Sequence, residues 1–248
     1  IVVAGDPRAS KIENYRAIAQ DERERRFSAF RHVCLALDFH SVTDQYENAL
    51  IYGPDWQSNL HFYAAVAELA EENRDCAFVI RGKNIDWLEL PQMAGILERI
   101  SSLKNVFVDD VYDRLDRSYE LAAMADLVVA RYTSLCDQCL AQGIPVLIFD
   151  ALPNGERIIS GFWDYRPYPV MAYSALELHE GFERVLRQQN FMEPGQFRKM
   201  RQEYYNSGEV APQVALQAEL ESLLSDKSVS SKLDGRARSQ RPRDPSLQ

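Results

Sequence analysis

The chain has 248 residues, 46% apolar and 26% charged, and its 28 Lys and Arg against 37 Asp and Glu give a net charge of −9. These values exclude collagen-like, wholly disordered and disulfide-stapled mini-protein classes, and they allow one α/β domain with a sizeable core. The acidic balance argues against general nucleic-acid binding, which needs phosphate neutralisation, while leaving room for a local pocket for one small anion.

Short β-branched or apolar runs alternate with longer segments of helical periodicity, the pattern of βαβ units and a mostly parallel sheet. In chain order the spacing predicts a strand over 1–4, a helix over 11–31, a strand over 33–38, a helix over 57–72 and a strand over 76–81. A helix over 91–103, a strand over 105–108, a helix over 118–124, a strand over 127–130, a helix over 134–142 and strands over 146–150 and 169–172 follow. Helices over 174–189, 196–205 and 211–224 close the ordered part. The clearest helix is 57–72, where Leu60, Tyr63, Ala64, Ala67, Leu69 and Ala70 mark an apolar face and Ser58 or Asn59 can cap the start.

The reading is therefore one Rossmann-like, doubly wound α/β domain over 1–225, followed by a disordered tail over 226–248 rich in Ser, Arg and Pro. The tail holds six basic residues (Lys227, Lys232, Arg236, Arg238, Arg241, Arg243) against three acidic ones, so it carries about +3 and the rest about −12. A solvated tail is the plain reading, and weak contact with anionic lipid headgroups the sharper one. No stretch approaches the roughly 18–20 apolar residues of a membrane-spanning helix, and no basic-then-apolar leader opens the chain, so a cytoplasmic protein is expected, with peripheral contact to the inner membrane as an extension. The sequence starts at Ile1 in a strand-like run, as if cut from a longer protein.

Four cysteines, Cys34, Cys76, Cys136 and Cys139, show no disulfide framework. A zinc site needs four ligands, and no second pair accompanies Cys136 and Cys139, so two buried thiols one helical turn apart are expected and no metal. None of His32, His40, His61 and His179 has triad or metal spacing, and no G-x-S-x-G occurs, so a hydrolase is unsupported. Asp109 and Asp110 resemble an acid/base pair, yet Arg114 and Arg117 offer ordinary partners and a solvated loop is expected. Trp163, Tyr165 and Tyr168 suit core and rim packing better than stacking on a base. The turn from Gly53 to Ser58 reads either as an anion site or as a plain turn.

The most informative stretch, ADLVVARYTSLCDQCLAQGIPVLIFD, runs over 125–150. A buried strand ends in the polar turn Arg131, Tyr132, Thr133, Ser134, which opens a helix that closes at Gly143 before Pro145. Hydroxyls and backbone N–H groups thereby fall at the carboxyl end of a parallel strand, where open α/β sheets bind ligands, and the helix start suits a diphosphate. Thr133 or Ser134 as a simple N-cap is the competing reading.

This stretch resembles the donor-nucleotide half of GT-B-fold glycosyltransferases, whose aD-strand-(S/T)S-x3-(E/D)-A-x3-G-x-P-strand run binds the sugar nucleotide. Asp126, Thr133, Ser134, Gln138, Gly143 and Pro145 stand at the corresponding spacings. Gly5, Pro7 and Arg8 resemble the G-x-P-R after the interdomain crossing, Phe78 to Arg81 resembles the strand before a phosphate-facing loop, and Phe162 to Val170 with Ser174, Glu177 and Leu178 is similar to the end of that domain. The branch it resembles is that of bacterial surface polysaccharides, including CDP-glycerol glycerophosphotransferase-like, capsule and Kdo transferases, over roughly residues 1–207. Two departures are Gln138, where the family carries an acid toward the ribose, and Arg81-Gly82-Lys83, which replaces a loop often containing Pro and His.

The resemblance implies a GT-B C-terminal domain that holds a CMP-, CDP- or UDP-linked donor through Arg81, Gly82, Lys83, Tyr132, Thr133, Ser134 and Gln138. It further implies a glycan or lipid-linked acceptor, a partner N-terminal GT-B half supplying the catalytic base, and no cofactor besides the activated nucleotide. Two rival functions are a UDP-sugar 2-epimerase, which needs acidic and histidine groups near the sugar and against which Gln138 with no nearby His argues, and a non-catalytic nucleotide-sugar-binding domain of a larger polysaccharide-assembly protein.

Overall fold

The computed structural model describes residues 6, 8–38, 55–82, 85–114, 116–131, 133–151, 165, 167–205 and 212–225. The expected strand over 1–4, the turn at Gly53 and Pro54, Trp163 and the tail over 226–248 lie outside them. One compact unit spans Arg8–Tyr205, and the flanking segments Ile1–Pro7 and Asn206–Gln248 form a second.

Within the first unit the elements alternate as the sequence predicts: α1 (Ser10–Phe27), β1 (His32–Leu37), α2 (Asp55–Glu72), β2 (Cys76–Arg81), α3 (Ala94–Ser102), β3 (Val106–Val108), α4 (Arg117–Met124), β4 (Leu127–Ala130) and α5 (Ser134–Ala141). After β5 (Val146–Phe149) and β6 (Met171–Ala172) come α6 (Ala175–Leu186) and α7 (Pro194–Tyr205). The second unit contributes α8 (Pro212–Ser225), whose Val214, Leu216, Leu220, Leu223 and Leu224 are exposed.

The six strands form one sheet in the order β3-β2-β1-β4-β5-β6, every neighbouring pair parallel. In register, Leu37 of β1 pairs with Arg81 of β2 and with Ala130 of β4. β2, β4 and β5 are buried along their whole length, as is β1 after His32, which explains their unbroken apolar sequence: a parallel sheet covered on both faces has no polar side. The helices group as α2 with α3 and α6, and α1 with α4, α5 and α7, the two coverings such a sheet requires. Strand order reverses direction between β1 and β4, so the crevice between these two carboxyl ends is the topological switch point.

Four local expectations are corrected. α1 stops at Phe27, because Arg31 donates its backbone N–H to Asp75 O (2.7 Å) and the Phe27 and Phe30 rings both pack edge-on against Phe107. The helix over 91–103 divides into a 3₁₀ turn, Pro91–Met93, and α3, since Pro91 fixes the entry and holds Leu90 extended. β6 is reduced to Met171–Ala172. Asn59 is no cap: α2 already begins at Asp55, and Asn59 is fully buried within it.

Candidate functional site at the carboxyl edge of the sheet

Five successive strands end in a charged side chain: Asp38 after β1, Arg81 at the end of β2, Asp109 after β3, Arg131 after β4 and Asp150 after β5. All five are buried. The strand ladder continues one step past the apolar runs to hold them, with Asp38 N donating to Arg81 O (3.1 Å), Asp109 N to Ile80 O (2.8 Å), Arg131 N to Leu37 O (3.1 Å) and Asp150 N to Ala172 O (2.8 Å). Charges at such depth require partners, and four of the five fall into two paired groups.

The first group lies across the switch point. Arg131 Nη1 stands 3.6 Å from Asp38 Oδ1 and donates to Asn59 Oδ1, while the Tyr63 hydroxyl donates to Asp38 Oδ2 at 3.1 Å. Burial, reinforced by the Asp38 carboxylate, pushes the Tyr63 phenol well above its usual value and keeps it a donor. The Tyr63 ring stacks on Trp87 at 4.6 Å, so this corner is aromatic as well as charged.

The second group joins β2, β3, α4 and α1. Arg81 Nη1 pairs with Asp109 and donates to Val111 O (2.8 Å), and its Nε donates to Ser118 Oγ (2.9 Å). Arg117 donates through Nε to Asp109 Oδ1 (2.9 Å) and through its terminal nitrogens to Glu22 and Glu120. Burial opposes the Arg117 charge, but hydrogen bonds to Glu22, Glu120 and Asp109 outweigh it and raise its pKa. The solvated loop expected at 109–110 is thus corrected for Asp109, which is buried between two arginines; only Asp110 is exposed. Arg114 pairs with Glu120 instead.

α5 begins where β4 ends. Thr133, extended, caps it: Oγ1 accepts from Leu135 N at 3.3 Å and its carbonyl accepts from Cys136 N at 2.8 Å. Ser134 opens the helix exposed. One turn on, Gln138 is buried, and the half-buried Asp137 accepts from the hydroxyls of Tyr165 and Tyr205, placing Tyr165 in the core with Tyr168 as expected. The helix closes on Gly143 at φ +80°, with Gly143 N donating to Leu140 O (3.0 Å) and Ile144 N to Cys139 O (2.9 Å), the left-handed C-terminal turn that glycine permits. Gly82 is buried at the exit of β2. Lys83 and Tyr132 lie outside the described residues.

Asp126 stands at the opposite end of β4. Its carboxylate takes both terminal nitrogens of Arg23 (2.9 and 2.6 Å) and the Val33 N–H (2.9 Å), fastening α1 across the amino end of the sheet. Cys136 and Cys139 are buried free thiols, and burial pushes Cys136 up to about 12, so neither is a ready nucleophile. Among the described residues no group of three or more His, Cys, Asp and Glu side chains is arranged to hold a metal ion, and no helix is long and apolar enough to cross a membrane.

Sequence reasoning passed over Asp38, Asn59 and Asp150 as site residues. The signal was present in part: a charge directly after each buried strand. Asn59 had no such signal, because its partner Arg131 lies 72 residues away.

The strand order and the buried carboxyl edge define a Rossmann-like, doubly wound fold. Solved structures extend this to the GT-B class. UDP-GlcNAc 2-epimerase from Neisseria meningitidis, solved bound to UDP-GlcNAc, is 15% identical with a TM-score of 0.52, over 89% of this chain and 54% of the epimerase. A variant of the wall teichoic acid polymerase TagF is 15% identical with a TM-score of 0.54, over 94% of this chain and 53% of the polymerase. The same variant soaked with CDPG gives 16% and 0.52. The likeness is one of fold, and it bears out the GT-B-type architecture that the motif spacing implied. The chain spans about half the length of these proteins. No family model matches it, and no curated protein matches it by sequence.

Proposed function

We propose that the chain is the donor-binding half of a GT-B glycosyltransferase, which moves a sugar or glycerophosphate unit from a CMP-, CDP- or UDP-linked donor to a bacterial surface polysaccharide or its lipid-linked precursor. The observation that carries this reading is the start of α5 immediately after β4 at the switch point, with the Thr133 cap and exposed Ser134 facing the edge where doubly wound sheets take their ligands. Two fold neighbours, solved with UDP-GlcNAc and with CDPG, support a nucleotide-activated ligand. Phosphate held at the amide end of α5 is stabilised as leaving-group charge builds, which is the main service such a half performs; the base acting on the acceptor comes from the N-terminal half. The activated nucleotide is the sole small-molecule requirement in this scheme, with no metal ligated by the chain, and the reaction runs on the cytoplasmic side, next to the inner membrane.

Calorimetry on the full chain with UDP, CDP, UDP-GlcNAc and CDP-glycerol tests the proposal. Ser134→Ala is expected to weaken the nucleotide that binds about fivefold, the worth of roughly one hydrogen bond, with stability unchanged. Thr133→Ala is expected to lower stability by about 1 kcal/mol through its cap. A folded chain that binds none of the four at millimolar concentration overturns the reading.

A UDP-sugar epimerase is the second reading, favoured by one observation beyond fold. His61 of α2 packs 5.2 Å from Phe149 at the carboxyl end of β5, and burial lowers its pKa, so a neutral imidazole stands near the same edge. Proton NMR of UDP-GlcNAc incubated with the chain distinguishes the two, since only the epimerase yields the C2 epimer without an acceptor.

A further inference from the structure

α1 carries little apolar surface into the fold: its buried residues are Ile12, Ala19 and Phe27. Polar contacts tie down the rest. Lys11 and Tyr15 donate to Asp116 (2.9 and 3.0 Å), Glu22 accepts from Arg117 (2.9 Å), and Arg23 spans the Asp126 carboxylate while donating to Met124 O (2.9 Å). His32, the first residue of β1, adjoins the last of these tethers. Its Nδ1 is 3.7 Å from Asp126 Oδ2, the oxygen that already accepts from Arg23 Nη2 (2.6 Å) and Val33 N (2.9 Å). Its Nε2 is buried with no hydrogen-bond partner among the described residues.

A neutral imidazole has one N–H and one lone pair, so with Nδ1–H toward Asp126 it leaves no buried donor unpaired. A second proton puts an N–H at Nε2, where no acceptor stands, and sets the imidazolium in competition with Arg23 for Asp126. Burial lowers the His32 pKa below its ordinary value; Asp126 ahead of β4 and Asp75 ahead of β2 oppose this, while Arg31 and Arg187 of α6 add to it. Of the remaining groups around the ring, Arg23 of α1 is held by Asp126, and Cys76, the register partner of His32 in β2, is a thiol pushed up by burial and therefore uncharged.

We infer that His32 makes the docking of α1 sensitive to protons, the helix being held at neutral pH and released, with the start of β1, as the ring is protonated in mild acid. The docked state takes up a proton less readily than the open one, so docking is at full strength above about pH 7 and weakens as the pH falls below about 6.5. An open-state histidine titrating near 6.5 is about ten parts protonated to one neutral at pH 5.5, which sets a ceiling of about tenfold on the rise in the open fraction. Release also withdraws Glu22 from Arg117, whose Nε holds Asp109, so the device reaches the charge network at the carboxyl edge.

Hydrogen–deuterium exchange of the α1 peptide in the full chain, divided by the intrinsic chemical rate at each pH, tests this. Between pH 7.5 and 5.5 the opening of α1 in the parent is expected to rise by about threefold to tenfold. His32→Asn, which keeps an amide donor beside Asp126 and does not titrate, should show no rise, and His179→Asn on α6 should keep the parent's response. Equal opening at the two pH values in the parent, a rise that persists in His32→Asn, or one that vanishes in His179→Asn each overturns the inference. Titration of the His32 ring in the parent, followed by NMR, needs no variant: a midpoint below about 6.5 is expected, and one at or above it overturns the inference.

Discussion

Asp109→Asn is the sharpest test of the structural reading of the carboxyl edge. The Asp109 side chain is 1% exposed and is the only carboxylate among the Arg81 partners described above, while Arg117 keeps Glu22 and Glu120 if Asp109 is neutralised. The loss therefore falls chiefly on Arg81, left with two neutral acceptors, Ser118 and Val111. Hydrogen bonds to charged groups contribute about 1.5–3 kcal/mol each, and breaking one partner of a buried ion pair costs about 3–5 kcal/mol. Asparagine retains one acceptor oxygen, so a loss of about 3–4 kcal/mol is expected, a large fraction of the roughly 5–15 kcal/mol that stabilises a domain. Urea unfolding followed by circular dichroism measures it, with Asp110→Asn at the exposed neighbour as a control expected to stay within about 0.5 kcal/mol. Adding Arg81→Met to Asp109→Asn removes the stranded cation and should restore at least about 1 kcal/mol. A loss below about 1 kcal/mol for Asp109→Asn refutes the reasoning.

The hydrogen bond from Arg117, with help from Arg26, holds the Glu22 carboxyl at about 2, below the usual carboxylate range. Its folded pKa is depressed, so its contribution is complete above about pH 4.5 and disappears as the pH falls toward 2; Glu22→Gln should flatten the stability profile over that interval, measured by urea unfolding at successive pH values. At Gly143 the nearest atom to an added Cβ is 3.8 Å away, so the cost of Gly143→Ala is conformational, about 1–2 kcal/mol for a left-handed residue, and a thermal melt showing no loss contradicts the C-cap assignment.

Legibility tracked the range of the interaction. Strands such as 76–81 and 127–130 coincide with their predicted limits because a buried parallel strand is a purely local signal, an apolar run between polar turns. The close of α5 was equally readable, since Gly143 before Pro145 is a local stop. Partners 28 to 105 residues apart in sequence were invisible by the same logic: Arg81 with Asp109, Arg131 with Asn59, Lys11 with Asp116. Arg81 illustrates the difficulty, because a cation followed by glycine at a strand end looks alike whether it faces a ligand or folds back onto a neighbouring strand. Only the register, which puts Ile80 beside Val108, shows that Asp109 is within its reach.

The same geometry constrains how an anion can be held here. The five strand-end charges comprise three carboxylates and two arginines, and Arg117 brings the sum to neutral before Glu22 and Glu120 are counted. Side chains so balanced cannot provide the positive potential that a diphosphate needs; their mutual pairing fixes the backbone at the strand ends instead. For the donor proposed above, the attraction would then come chiefly from the amide end of α5 behind Thr133. Attraction from a helix's amide end acts locally, so the net charge of −9 on the whole chain does not exclude the anionic ligand proposed.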